Sequence, residues 1–308
     1  MDRGRAMAMI RMGRLPLLFG GLLLYLLGAF TAAASGHPLS LIRLFLGYVV
    51  LGPAHLSVHY SNDYFDADGD LLGKPTGVSG GSGVLARYPD LRPLARLTAL
   101  SLIGISCVAG VFAYLTVLPT PFILLLLVVG NGLGWFYSAP PVRLSSRGLG
   151  EVSTALTFGL LLPGMGYLAI AGGLDLFFLP VSLPLVLLGA TFILTVEIPD
   201  READALSGKV TSIVKHGISA GLRIGFISAV LAAAFFFLAA LTGIFPSAAA
   251  SGILAVASFI PLASPLAANI RMPRDGEGMV RYAQRTVSSL ILFAAVVDAG
   301  LLLVLLKP

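Results

Sequence analysis

Apolar runs of about 20 residues alternate along this chain with short polar joins, and each run is long enough to cross a bilayer as a helix. The runs fall roughly at 15–34, 41–61, 94–115, 120–138, 151–172, 180–198, 217–241, 248–268 and 286–306. Gly and Pro punctuate the joins, at Gly36 and Pro38, Pro119 and Pro121, Gly172 and Gly173, Pro180 and Pro246. The pattern predicts one all-α domain over 1–308. It is a polytopic membrane helix bundle of about nine transmembrane helices. The first run follows a basic start, but no cleavage site separates it from the rest, so it reads as the first transmembrane helix.

Composition agrees. Hydrophobic residues make up 57% of the 308 and charged residues 11%, where a soluble domain carries about 25% charge. The single cysteine, Cys107, lies in an apolar run and is expected as a buried thiol; no Cys/His cluster suggests structural zinc. The net charge of +5 is parcelled out among loops and forms no aromatic-interleaved stripe, which argues against nucleic acid as a partner.

The loops set the topology. Counted across nine spans, 18 of the 20 basic residues fall on one side, with only Arg43 and Lys307 on the other. The positive-inside rule makes the rich side, and the N-terminus, cytoplasmic in a multi-pass cell-membrane protein.

Two acidic clusters end apolar runs on that same side. In the first, Asn62, Asp63, Asp66 and Asp70 fall within about 100° of arc on a helix, whereas Asp68 falls off that face. In the second, Glu197, Asp200 and Asp204 have spacings of three and four. Carboxylates and an amide oxygen at helix ends suit Mg²⁺, whose shell is usually completed by water and substrate phosphate. Two such clusters facing each other can hold a diphosphate between them and neutralise charge as it leaves. A water-poor membrane cavity would protect an allylic carbocation and accommodate a long isoprenoid tail.

Asn62-Asp63-x-x-Asp66-x-x-x-Asp70 resembles the first signature of the UbiA-type intramembrane prenyltransferases, and Asp200-x-x-x-Asp204 looks like the second. Tyr137-Ser138-Ala139-Pro140-Pro141 is similar to a third stretch of that family. The resemblance covers nearly the whole chain. It implies Mg²⁺-dependent transfer of a prenyl group from a polyprenyl diphosphate to a lipophilic aromatic acceptor, with membrane lipid around the enzyme. It also implies metal and diphosphate roles for Asn62, Asp66, Asp70, Asp200 and Asp204, with Asp63 beside them. Glu197 stands where many members carry Asn or Asp. Lys74, Arg143, Arg147 and Lys209 are candidate phosphate contacts, and Tyr137 a candidate substrate contact. Segments 80–85 and 147–152 look most like the branch that prenylates 1,4-dihydroxy-2-naphthoate in menaquinone synthesis; the alternative within the resemblance is a non-quinone acceptor, of the ether-lipid, haem or chlorophyll type.

Other polar residues carry less. His59 and His216 read as structural, and Asp298 inside the last run as a helix-packing residue. Gly-rich 77–83 lacks the Walker spacing and reads as a flap beside the site. The competing class is a cation-binding membrane transporter, which would carry its charges near the bilayer midplane. The topology has a direct check. A cysteine replacing Ser207, in a Cys107→Ser background, is expected to react with a membrane-impermeant thiol reagent in inside-out vesicles; labelling from the outside of intact cells would overturn the orientation.

Overall fold

A computed structural model describes residues 3–73, 75–245, 247–273 and 275–306, and every regular element among them is helical. In chain order the α-helices are α1 (Arg3–Met12), α2 (Leu15–Ala34), α3 (Leu41–Asp70), α4 (Val84–Arg87), α5 (Arg92–Thr116), α6 (Pro121–Phe136), α7 (Gly150–Leu156) and α8 (Leu162–Ala171). There follow α9 (Leu179–Glu197), α10 (Arg201–Leu206), α11 (Ser212–His216), α12 (Ile218–Thr242), α13 (Ala248–Ala257), α14 (Ala263–Ile270) and α15 (Gly276–Leu305). Helices dominate because hydrocarbon offers backbone N–H and C=O groups no partner outside the helix itself.

Among the described residues, seven helical stretches are long and apolar enough to cross a membrane. The two other expected spans are shorter. Span 120–138 is the 16-residue α6. Span 248–268 is split into the 10-residue α13 and the 8-residue α14. Pro261 lies in the intervening turn, where a residue without an N–H interrupts the helical ladder. Side chains start several helices: Ser40, Thr211, Ser247 and Asp275 each accept a bond from a backbone N–H of the first turn.

The packing brings backbones close. α2 lies against α8 and α15, α3 against α5, and α9 against α12. At the α2–α8 crossing, a Cβ on Gly28 would sit 1.9 Å from the Pro163 carbonyl oxygen, and one on Gly166 1.8 Å from that of Tyr25. Small residues at such crossings allow the close approach on which membrane helices depend for association. A π-helical turn, Thr157–Leu161, joins α7 to α8. Its Gly159 packs on α9, where a Cβ would meet Val186 N at 2.1 Å.

The outward faces are apolar, with Val108 and Leu115 each 72% exposed on α5. Cys107 shares that exposed face, which corrects the expectation of a buried thiol. An apolar run in lipid is solvated by acyl chains, so hydrophobic neighbours do not imply burial. The helix crossing yields a prediction. Gly28→Ala or Gly166→Ala should each cost about 2 kcal/mol or more by forcing backbones apart. Gly104→Ala, with open space around it, should be near neutral. Melting in detergent, followed by size-exclusion chromatography, reads the difference.

Candidate active site

The first acidic cluster stays helical to Asp70, so the spacing argument holds in three dimensions. Asn62, Asp66 and Asp70 line one cavity. Asp68 points the other way, its side chain 81% exposed and paired with Arg92 at 3.1 Å. Asp63 is not among the cavity-lining residues. Its buried carboxylate meets Arg14 at 2.6 Å, and it also accepts from the Ser82 N–H at 3.3 Å and from the Ser82 hydroxyl. Its place is that of an anchor joining α2, α3 and the flap.

The second cluster forms where α9 ends at Glu197 and α10 begins after Asp200. Glu197, Asp200 and Asp204 line the same cavity as the first cluster. Glycines let the two approach: a Cβ on Gly69 would lie 3.1 Å from Ser207 Cβ, and one on Gly73 3.1 Å from Ala203 Cβ. Lys209 stands between them, its Nζ 3.1 Å from Asp66 and 3.6 Å from Asp204.

The Gly-rich flap closes over this end. The Gly80 N–H donates to Asp200 at 2.7 Å, and Gln284 of α15 donates to the Thr76 carbonyl at 3.2 Å. Gly81 has φ +68°, and a Cβ there would lie 1.9 Å from an Asp70 oxygen. Only glycine meets both demands.

The cavity holds about 340 Å³. Its polar end carries the carboxylates, Lys209, Arg14 and Tyr137; its inner wall is apolar, with Leu24, Phe158, Phe192, Leu290 and Ala294. Burial pushes Asp200 up to about 6, and Asp204 adds to the rise, against the opposing Gly80 N–H and Lys209. Burial likewise raises Asp204, with Lys209 opposing it. For Lys209 burial alone lowers the pKa, but Asp66 and Asp204 outweigh it and hold the ammonium charged.

These donors fit a hard cation in part. All are oxygens, and the Asn62 Oδ1 and Glu197 Oε2 atoms are buried without hydrogen-bond partners, a costly state that a ligand would relieve. Among the described residues, no three acidic, His or Cys side chains converge tightly enough to hold an ion by themselves. Mg²⁺ binds through one or two carboxylates and fills its shell with water and phosphate oxygens, so a cation here would need such ligands to complete its coordination.

The other sequence candidates divide. Tyr137 lines the cavity, and Ser138 beside it donates to Asp66 at 3.0 Å. Arg143 and Arg147 are exposed and do not line it; Arg147 donates instead to the Pro141 carbonyl at 2.8 Å. Lys74 lies outside the described residues. Three participants escaped the sequence reading: Arg14, Ser82 and Ser138. Arg14 was indistinguishable from its basic neighbours, yet it adopts a left-handed φ of 45°, a strained conformation for a non-glycine residue. Ser82 lay within the flap and Ser138 within the third motif, so their positions were signalled but not their bonds. Glu151 also has a partner, the Ser212 N–H.

The profile of the UbiA prenyltransferase family matches residues 21–290. The fold is similar to that of a UbiA homologue from Archaeoglobus fulgidus bound to GPP and Mg²⁺, at 16% identity and TM-score 0.65, over 95% of this chain and 99% of the other. A UbiA homologue from Aeropyrum pernix K1 aligns at TM-score 0.68 and 16% identity, over 92% and 98%. Digeranylgeranylglyceryl phosphate synthase aligns at TM-score 0.62 and 15% identity, over 98% and 99%. No curated protein matches the sequence significantly.

Removing either of two aspartates separates anchor from site. Asp63→Ala strands the Arg14 charge and is expected to destabilise the metal-free protein by about 3 kcal/mol. Asp70→Ala removes one carboxylate from a crowded set and should leave the melting temperature equal or higher. Equal melting losses in detergent would show that Asp63 is no anchor.

Proposed function

The chain belongs to the UbiA prenyltransferase family, and on that premise we propose that it transfers a prenyl group from a polyprenyl diphosphate to a lipophilic aromatic acceptor, with Mg²⁺ as cofactor. The observation that carries this is one cavity with carboxylates of both clusters at one end and an apolar wall at the other. A polyprenyl diphosphate has the same division. The Archaeoglobus fulgidus homologues hold GPP or DMAPP with Mg²⁺, which supports the same donor class here.

Asn62, Asp66, Asp70, Asp200 and Asp204 would hold Mg²⁺, with Glu197 beside them. Bound there, the metal supplies charge neutralisation for the departing diphosphate. Lys209 contributes a fixed positive charge at the same end, and Arg14 a second. Tyr137, which lines the cavity, would hydrogen-bond substrate. The inner wall keeps water from the allylic cation that ionisation leaves. The flap, already bonded to Asp200, closes the polar end.

The acceptor reading is 1,4-dihydroxy-2-naphthoate, a quinone precursor. It is supported by the likeness of segments 80–85 and 147–152 to that branch, and Gly80 and Gly81 line the cavity. The positive-inside distribution supports a cytoplasmic N-terminus, about nine spans and a site open to the cytosol. Family membership sets aside the transporter reading.

Membranes supplied with Mg²⁺, labelled geranylgeranyl diphosphate and an acceptor panel test the activity. EDTA should abolish turnover and Mg²⁺ restore it; full activity in metal-free membranes would sink the reading. Asp66→Ala and Asp200→Ala should each lower turnover by about 10²-fold or more, the scale seen when a charge-stabilising group is lost. Asp68→Ala, on the outward face, should stay within about threefold. Similar losses at positions 66 and 68 would refute the assignment of the cavity face.

A further inference from the structure

Two imidazoles occupy the stretch of α3 between the carboxylates and the apolar wall. His55 and His59 line the cavity, on the helical face that continues to Asn62 and Asp66. Successive spacings of four, three and four keep all four side chains within a narrow arc. At ~1.5 Å rise per residue, His59 lies about 4.5 Å and His55 about 10 Å inward of Asn62.

Neither ring makes a hydrogen bond among the described residues; the rings contact each other, with centroids 5.4 Å apart. The His59 Nε2 is enclosed and without a partner. His55 is partly accessible from the cavity. The opposite helix is shaped around it: a Cβ on Gly21 would lie 2.2 Å from His55 Cε1, so any larger residue on α2 would expel the ring. A seat cut for an imidazole that then bonds to nothing is costly, because a buried polar group without a partner forfeits its hydration.

We propose that His55 and His59 form the polar contact for the second substrate, and that they recognise a hydroxyl on an aromatic ring. This rests on the prenyl-transfer reading above. In that reading the bond that breaks lies between the diphosphate at the carboxylates and the tail at the apolar wall. The acceptor carbon must reach that boundary, where the imidazoles stand. A hydroxyl both donates and accepts, and a neutral imidazole offers one nitrogen of each kind, so they pair in either tautomer. A bicyclic hydroxyarene would then lie with its oxygen on the imidazoles and its ring in the cavity. His59, read from sequence as structural, gains a binding role beside His55, whose ring it contacts.

The test uses the full-length protein in detergent, loaded with Mg²⁺ and a thio analogue of geranyl diphosphate that cannot ionise. Binding of 1-naphthol is compared with that of 1-methylnaphthalene, which has similar shape and no polar atom. The wild type should prefer 1-naphthol by about tenfold or more, the scale of one hydrogen bond to an otherwise unpaired polar group. His55→Phe, which keeps the ring and loses the nitrogens, should abolish the preference. His55→Gln, which restores an acceptor and a donor, should recover part of it. All three proteins should bind the thio analogue with Kd values within about twofold. An unchanged preference in His55→Phe overturns the proposal. So does a loss of analogue binding in a variant that elutes and melts like the wild type, because the imidazoles would then belong to the donor. Failure of the wild type to bind the analogue with Mg²⁺ overturns the prenyl-transfer reading as well, and that outcome is visible before any acceptor is added.

Discussion

Carboxylates from two distant parts of the chain are held in one cavity, and their mutual repulsion is the constraint that the surrounding structure answers. Lys209 reaches both clusters. Arg14 neutralises Asp63, Ser138 donates to Asp66, and the Gly80 N–H donates to Asp200. Each counter-group comes from a different element: the α10–α11 join, the approach to α2, the end of α6 and the flap. Charge concentrated for chemistry thus also ties the ends of the bundle together. Removing one partner from such a set leaves the others uncompensated, which is why a buried charge costs more to orphan than it contributed when paired.

Much of this was legible before any coordinates. The length of the apolar runs predicted a helical membrane bundle, because lipid leaves the backbone few alternatives. The three- and four-residue spacings predicted which acidic residues share a face. The outward-pointing Asp68 and the inward Asn62, Asp66 and Asp70 follow that arithmetic. Periodicity works here because the helix continues unbroken through the motif.

Other features depend on contacts that no local pattern records. Asp63 lies at the edge of the same arc as Asp66, yet its carboxylate is taken up by Arg14, a residue 49 positions away. Arg143 and Arg147 follow a motif that touches Asp66, but the chain turns them outward. Cys107 faces outward, and the sequence did not mark it because a transmembrane helix has no polar side to distinguish its exposed face. Spans 120–138 and 248–268 looked like their neighbours in hydropathy, yet the second is interrupted near Pro261. Hydropathy reports how comfortable a segment is in lipid, and says less about how far it runs without a break.

The 30 residues of α3 make a rod about 45 Å long, against a hydrocarbon core of about 30 Å. Residues of α3 from Leu51 to Asp70 line one cavity. Such a rod crosses from acyl chains to headgroup depth, and the cavity beside it crosses with it. An amphiphile bound beside it would keep its tail against the apolar wall and its head against the carboxylates and Lys209, so the protein carries inward, along one helix, the same division of oil from charge on which its guest already rests.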